Sequence, residues 1–398
     1  MRFSENIRLL QPSATIAVST LAKRLKAEGR DIIDLSAGQP DFDTPTWISD
    51  AGVEGIRQGG TRYTPVPGMP RLRQAIADVL SARAGRPLSP DGVVVSSGAK
   101  QSLFNAVFSL FGPGDKVLVG TPYWTSYPQM VVLARAEPVF VAGSSERELK
   151  LTPADLDAVY DGSTRGLMFS TPSNPTGAVY TRAELGDLVA RARERDVWLL
   201  SDEIYREIYF GDEASSAPSL LDFGKDEMGP AVLIDGVSKA YAMTGWRIGF
   251  SYSEADVAKK FSAFQSHTTS NAATPSQFAA LAAYEKRERS AEAIREMGQA
   301  FRRRRDLLVR LVNERLPGFD FVQPEGAFYM FLNVESAFGG SMSDSSEFCT
   351  RVLEEVGVAL VPGVAFGDDR YVRLSYATSD ELIEDAIGRV AGFLGQES

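Results

Sequence analysis

"GVVVSSGAKQSLFNAVFSLFGPGDKVLVGTP", residues 92–122, runs from one β-branched segment through a helical pattern into a second β-branched segment. Residues 92–97 and 115–122 are too continuously apolar to leave a wet face, as in a parallel sheet covered on both sides. Between them Leu103, Phe104, Val107, Phe108 and Phe111 recur at helical spacing and make one apolar stripe. The same kind of run returns as "GLMFSTP" (166–172), "VWLLSDE" (197–203), "AVLIDG" (231–236) and "WRIGFSY" (246–252). Alternating strand and helix predicts an α/β chain with a large, doubly wound α/β/α domain on a mostly parallel sheet over residues 45–288.

From about residue 290 the pattern changes. Ile294, Met297, Phe301, Leu308 and Leu311 keep helical spacing over a long stretch. A strand "PEGAFYMFLNV" (324–334), a helix near 344–356 and strands "VALVPG" (358–363) and "YVRLSYA" (371–377) follow. Residues 289–398, with 1–44 packed against them, are expected to form a smaller α+β domain joined to the first by the long helix. The cluster Arg302–Arg305 reads as the solvated face of that helix.

Composition narrows the chemistry. The 398 residues carry a formal net charge of −10, which disfavours a broad nucleic-acid or anionic-membrane surface. One cysteine, Cys349, allows no intrachain disulfide and no thiolate zinc cluster. One histidine, His267, removes multi-histidine metal sites and argues against a Ser-His-Asp triad. No apolar run approaches the roughly 20 residues that span a bilayer, and the N-terminus lacks a secretory pattern. A cytoplasmic enzyme is the expectation.

Ligands of open α/β sheets bind beyond the carboxyl ends of the strands. Ser97-Gly98-Ala99-Lys100, Tyr123-Trp124, Asn174, Asp202 with Tyr205, and Ser238-Lys239 each follow a different predicted strand. A lysine whose charge is disfavoured is a nucleophile toward carbonyls. An aldehyde cofactor with a phosphate tail also needs a carboxylate for its ring nitrogen, a hydroxyl for its ring oxygen, an aromatic face and phosphate donors. Lys239, Asp202, Tyr205 and Trp124 supply the first parts. The start of the helix after Gly98, with Ser238 and Arg247, supplies the phosphate cradle, which is the pyridoxal-phosphate arrangement. Singly, each has a plainer reading: Asp202 as a helix cap, Trp124 and Tyr205 as core, "SGAK" and "NPTG" as turns.

Their order resembles a known family. "LSAGQPDFDTP" (35–45), "RYTPVPGMPRLRQAI" (62–76), "PYWTSYP" (122–128), "SNPTGAVY" (173–180), "SDEIYREIYF" (201–210), "GVSKAYAMTGWRIG" (236–249) and "YVRLSYATSD" (371–380) are similar to the blocks of class I pyridoxal-phosphate-dependent aminotransferases. In detail they resemble the bacterial aspartate aminotransferase subgroup. The resemblance spans essentially the whole chain and implies pyridoxal-phosphate fold type I. It implies that Lys239 is the Schiff-base lysine and general base, Asp202 the ring-nitrogen partner, and Tyr205 and Asn174 donors to the ring oxygen. It makes Trp124 the stacking aromatic and Ser238 and Arg247 the phosphate ligands, beside Gly98, Ala99 and Lys100 at the start of the helix. Tyr63 matches a tyrosine that reaches the neighbouring subunit's phosphate, which implies a homodimer with shared sites. Arg373 matches the clamp for the substrate α-carboxylate, with Gly38, Trp124 and Asn174 also bordering the substrate.

Specificity is less directly written. An arginine that one aspartate-using subgroup places before a Tyr-Ser-Asn block is missing from "FQSHTTSN" (264–271). Lys100 in "GAK" is therefore expected to read a distal carboxylate, helped by Ser13 and Thr15. Relatives that accept prephenate carry a basic residue where Gln11 stands. L-Aspartate with a 2-oxo acid such as 2-oxoglutarate is the expected pair, by ping-pong transfer. The alternatives are an aminotransferase for aromatic amino acids, kynurenine or prephenate, and a cysteine-conjugate β-lyase of the same fold.

Overall fold

The computed structural model describes residues 4–10, 14–211, 216–339 and 342–397. After a helix at Ala14–Ala27 comes the two-residue strand β1 (Ile33–Asp34). The next seven strands form one sheet: β2 (Val93–Ser96), β3 (Lys116–Thr121), β4 (Glu137–Ala142), β5 (Thr164–Ser170), β6 (Trp198–Asp202), β7 (Ala231–Gly236) and β8 (Gly249–Tyr252). Their order is β2-β8-β7-β6-β5-β3-β4, and every pairing is parallel except the two made by β8. The continuous apolar runs explain the layering. Val117, Val119, Met168, Leu200 and Val232 pack on one side against Leu103, Ala106 and Val107 of the helix Ala99–Leu110. Leu118, Leu167 and Leu199, one residue out of phase, pack on the other against Leu185, Leu188 and Val189 of the helix Arg182–Glu194.

A second sheet is antiparallel, in the order β12-β13-β10-β9. It comprises β9 (Phe321–Val322), β10 (Tyr329–Asn333), β12 (Val361–Pro362) and β13 (Tyr371–Ser375). Between them in sequence, β11 (Val358–Ala359) pairs in parallel with β1, tying the N-terminal segment to this region. The 29-residue helix Arg287–Arg315 buries Phe301, Leu308 and Leu311 against Leu332, Val372 and Leu374 of the second sheet. In the β10–β13 pair Phe331 faces Arg373 and Tyr329 faces Ser375. Arg373 therefore projects on the same side of the sheet as Tyr329.

Three expectations change, and one strand is added. The run 246–252 becomes a strand only at Gly249, because Arg247 sits at φ +57° after a 3₁₀ turn over Thr244–Trp246. The run 324–334 becomes a strand only at Tyr329, since Ala327 at φ +57° interrupts the extended backbone. Residues 137–142 form the edge strand β4, with a half-exposed pattern that lacks the continuous apolar signal. The cluster Arg302–Arg305 is not a solvated face. Four successive residues advance about 100° each around a helix, so one must point inward. Arg304 is buried and holds Asp41 through two 2.8 Å bonds, while Arg302 and Arg305 lie over the Phe210 ring. Arg303 alone of the four is exposed, paired with Asp380.

Candidate active site

A cavity of about 640 Å³ opens where the carboxyl ends of β2, β3, β5, β6 and β7 meet the face of β10 and β13. Lys100, Trp124, Asn174, Asp202, Tyr205, Ser238, Lys239 and Arg247 all line it, so the five predicted strand ends do converge. Gly38 and Arg373 join them from the N-terminal segment and the second sheet. Ser13 lies outside the described residues, as does the side chain of Thr15. The helix Ala14–Ala27 contributes Ser19, Thr20 and Lys23 to the cavity wall instead.

Lys239 follows β7, and its Nζ donates to the Gly38 carbonyl at 2.6 Å. Burial first, then Arg373 and Arg247, lower its pKa to about 7, against a smaller opposing pull from Asp202. Asp202 ends β6. Its carboxylate accepts from the Tyr127 hydroxyl at 2.8 Å and from the Ile204 N–H at 3.3 Å. Burial raises its pKa to about 6 despite those bonds. A buried carboxylate without an ion-pair partner favours a cationic or N–H ligand beside it. Tyr127 went unnoticed in the sequence; it stands in the same "PYWTSYP" block as Trp124, which meets it edge to face at 5.5 Å.

Arg373 is 2% exposed. It donates through Nη1 to Asn174 Oδ1 at 3.0 Å and through Nη2 to the Ser36 carbonyl at 2.8 Å, while Nε has no partner. Among the described residues no carboxylate forms an ion pair with it, and burial lowers its pKa. A planar cation fixed by neutral acceptors and left short of negative charge suits a small carboxylate.

The opposite end is built for a phosphate-sized anion. The helix Ala99–Leu110 starts at Gly98, at φ +87°, with no side chain capping its first N–H groups. Arg247 lies against this turn, donating to the carbonyls of Thr244 and Ser97. A Cβ at Gly98 would come 2.5 Å from Arg247 Nη2, so only glycine leaves that guanidinium its place. Lys100, exposed as a residue, sets its ammonium 4.8 Å from the Trp124 ring centroid. Partial burial and then Arg247 lower its pKa.

Tyr205 lies in the turn after Asp202, held by hydrogen bonds from the Arg206 N–H to Glu203 and the Ile208 N–H to Tyr205. Its hydroxyl meets that of Tyr329, which no sequence signal singled out. Tyr63 is absent from the cavity wall and 91% exposed on the surface of its own chain. His267 ends the helix Ala255–Ser266, away from the cavity wall. Among the described residues no His, Cys, Asp and Glu group could hold a metal ion, and no helix is long and apolar enough to cross a membrane.

Residues 30–390 match the family described as aminotransferase class I and II. The chain is 42% identical over 397 residues to an aspartate/prephenate aminotransferase of Cereibacter sphaeroides, covering 98% of each protein. It is 40% identical over 400 residues to an aspartate aminotransferase of Bacillus subtilis, covering 100% of both. Among solved structures, the aspartate aminotransferase of Thermus thermophilus with maleate superposes with a TM-score of 0.91 at 37% identity, over 98% of this chain and 100% of that one.

Proposed function

The chain belongs to the class I and II aminotransferase family, and from that premise we propose that it transfers the amino group of L-aspartate to a 2-oxo acid such as 2-oxoglutarate. The observation that carries this reading is a lysine amine held near neutrality in one cavity with a buried carboxylate and an arginine short of negative charge. The cavity residues fit pyridoxal 5′-phosphate as cofactor. Asp202 would face its ring nitrogen, Tyr205 and Asn174 its ring oxygen, and Trp124 its ring face. Ser238, Arg247 and the N–H groups after Gly98, those of Ala99 and Lys100, would hold the phosphate. When bound, the cofactor supplies an aldehyde carbon and an electron-accepting ring.

The chain's own residues do the rest. Arg373 receives the α-carboxylate with N–H groups not used on Asn174 and Ser36, and this fixes which face of the α-carbon meets Lys239. A pKa of about 7 leaves the Nζ of Lys239 unprotonated in a large share of molecules at neutral pH. It can then take the α-proton and deliver it again, as a general base followed by a general acid. Asp202 keeps negative charge beneath the site, and Tyr127 holds that carboxylate in place. Gly38 orients Lys239 through its carbonyl.

We assign the distal carboxylate of the substrate to Lys100, whose ammonium faces the cavity beside Trp124. The exposed Tyr63 is assigned to the phosphate of a second copy, making the working unit a cytoplasmic homodimer with shared sites. Residues 45–288 are taken as the cofactor-binding domain, and 1–44 with 289–398 as the smaller one.

A half-reaction screen tests this. The protein loaded with pyridoxal phosphate is mixed with single amino acids, and loss of its visible absorbance is followed. L-Aspartate is expected to bleach it fastest, and Lys100→Ala to lose most of that rate while keeping the rate with a neutral amino acid. No bleaching by any amino acid would overturn the transfer; equal loss on both substrates would overturn the role of Lys100.

A further inference from the structure

Tyr329 has no place in the roles above, yet it stands at their centre. It begins β10, is fully buried, and lines the cavity. Its hydroxyl lies 2.8 Å from that of Tyr205, and the two rings meet edge to face at 5.6 Å and 80°. The Arg373 guanidinium lies 4.4 Å from the centroid of the Tyr329 ring. Phe328 packs edge to face on Tyr205 and so limits how that ring can turn.

Proton counting gives the pair a direction. A phenol has one proton to donate and lone pairs to accept with. Should Tyr205 give its proton to a ring oxygen, the hydrogen between the two tyrosines has to come from Tyr329. Burial raises the pKa of both phenols, so each keeps its proton at working pH. A hydroxyl that accepts while it donates is polarised into a stronger donor. The charged groups facing Tyr205 are Lys239, 5.6 Å from its ring centroid, Asp202 on its own turn, and Arg373 from β13.

Resting on the reading of Tyr205 given above, we propose that Tyr329 is a positioning residue: its hydroxyl donates to Tyr205, turning the Tyr205 proton toward the cofactor ring oxygen and strengthening that bond. The second sheet thereby contributes to the cofactor's electronic environment without touching it.

The test is a spectrophotometric pH titration of the loaded protein without substrate. A donor to the ring oxygen favours the chromophore form that has lost its proton, so weakening that donor raises the pH midpoint. Tyr329→Phe, which removes one oxygen from a buried ring, is expected to raise the midpoint by about 0.5–1 unit. Tyr205→Phe should raise it more, and adding Tyr329→Phe to that variant should change the midpoint by less than about 0.2 unit. A Tyr329→Phe midpoint equal to the native one, with Tyr205→Phe still shifted, would overturn the relay and leave the role of Tyr205 standing. The same holds if Tyr329→Phe shifts the midpoint equally with and without Tyr205. A Tyr205→Phe midpoint equal to the native one would remove both claims.

Discussion

Lys239 and Asp202 are held by the same burial in opposite directions, one toward losing charge and the other toward gaining a proton. Two pH effects follow. The amine of Lys239 acts as base only once the substrate amine has displaced it from the cofactor, so kcat, which reports the complex, should climb with pH through about 7 and level above it. Lys239→Ala should lower turnover by at least about 10²–10⁴-fold while circular dichroism shows an intact fold. For Asp202 the folded pKa of about 6 exceeds the ordinary 3.8, so the cofactor-free protein gains stability from the protonated carboxyl at low pH. That contribution, about 3 kcal/mol at most, is lost as pH rises from 4 through 6. Urea unfolding of the cofactor-free Asp202→Asn variant should therefore show a flatter pH dependence and greater stability than the native chain at pH 7.5. The same variant should retain pyridoxal phosphate poorly. A pH dependence identical to the native one would mean the carboxylate is already neutralised by a group other than those named.

The helix Ala99–Leu110 and the turn before β8 form one device, with Gly98 as its pivot. Gly98→Ala would place a methyl at a left-handed φ and against the Arg247 guanidinium, a strain of about 1–3 kcal/mol. The dissociation constant for pyridoxal phosphate, measured by dialysis and absorbance, should rise by about 5–100-fold. Asp41→Ala, in the N-terminal segment, would leave Arg304 of the long helix buried with only the 3.6 Å approach to Asp380. A loss of about 3 kcal/mol in urea unfolding is expected. These elements also show how far the sequence could be read. Polar residues directly after uniformly apolar strands mark the cavity rim, since such strands can present polar groups only at their ends. Tyr127, Tyr329 and the Ser19-Thr20-Lys23 face carry no such mark. Each sits within an element whose side chains look like ordinary core or surface until tertiary packing turns one of them inward. Arg304 was misread for the same reason: a run of like charges gives no sign of which member finds a buried partner.

Across the molecule, the order of blocks carried the family, and the structure adds that two sheets close one cavity between them. Tyr63 stands 91% exposed on the surface of a single chain. If Tyr63 serves a second copy's site, mixing Lys239→Ala chains with Tyr63→Phe chains should restore one native site per mixed dimer. That site would pair Lys239 of one chain with Tyr63 of the other. Random mixing makes about half of the dimers mixed, so cofactor retention and turnover should return to about a quarter of the native value above the separate variants; no gain over the separate variants would place Tyr63 outside any shared site. Everything else depends on a covalent link between the cofactor and one amine. Borohydride reduction of the loaded protein, followed by proteolysis and mass spectrometry, reads that link directly. A single reduced pyridoxyl group per chain on Lys239 is the expected result, and a label on any other lysine, or none, would contradict it.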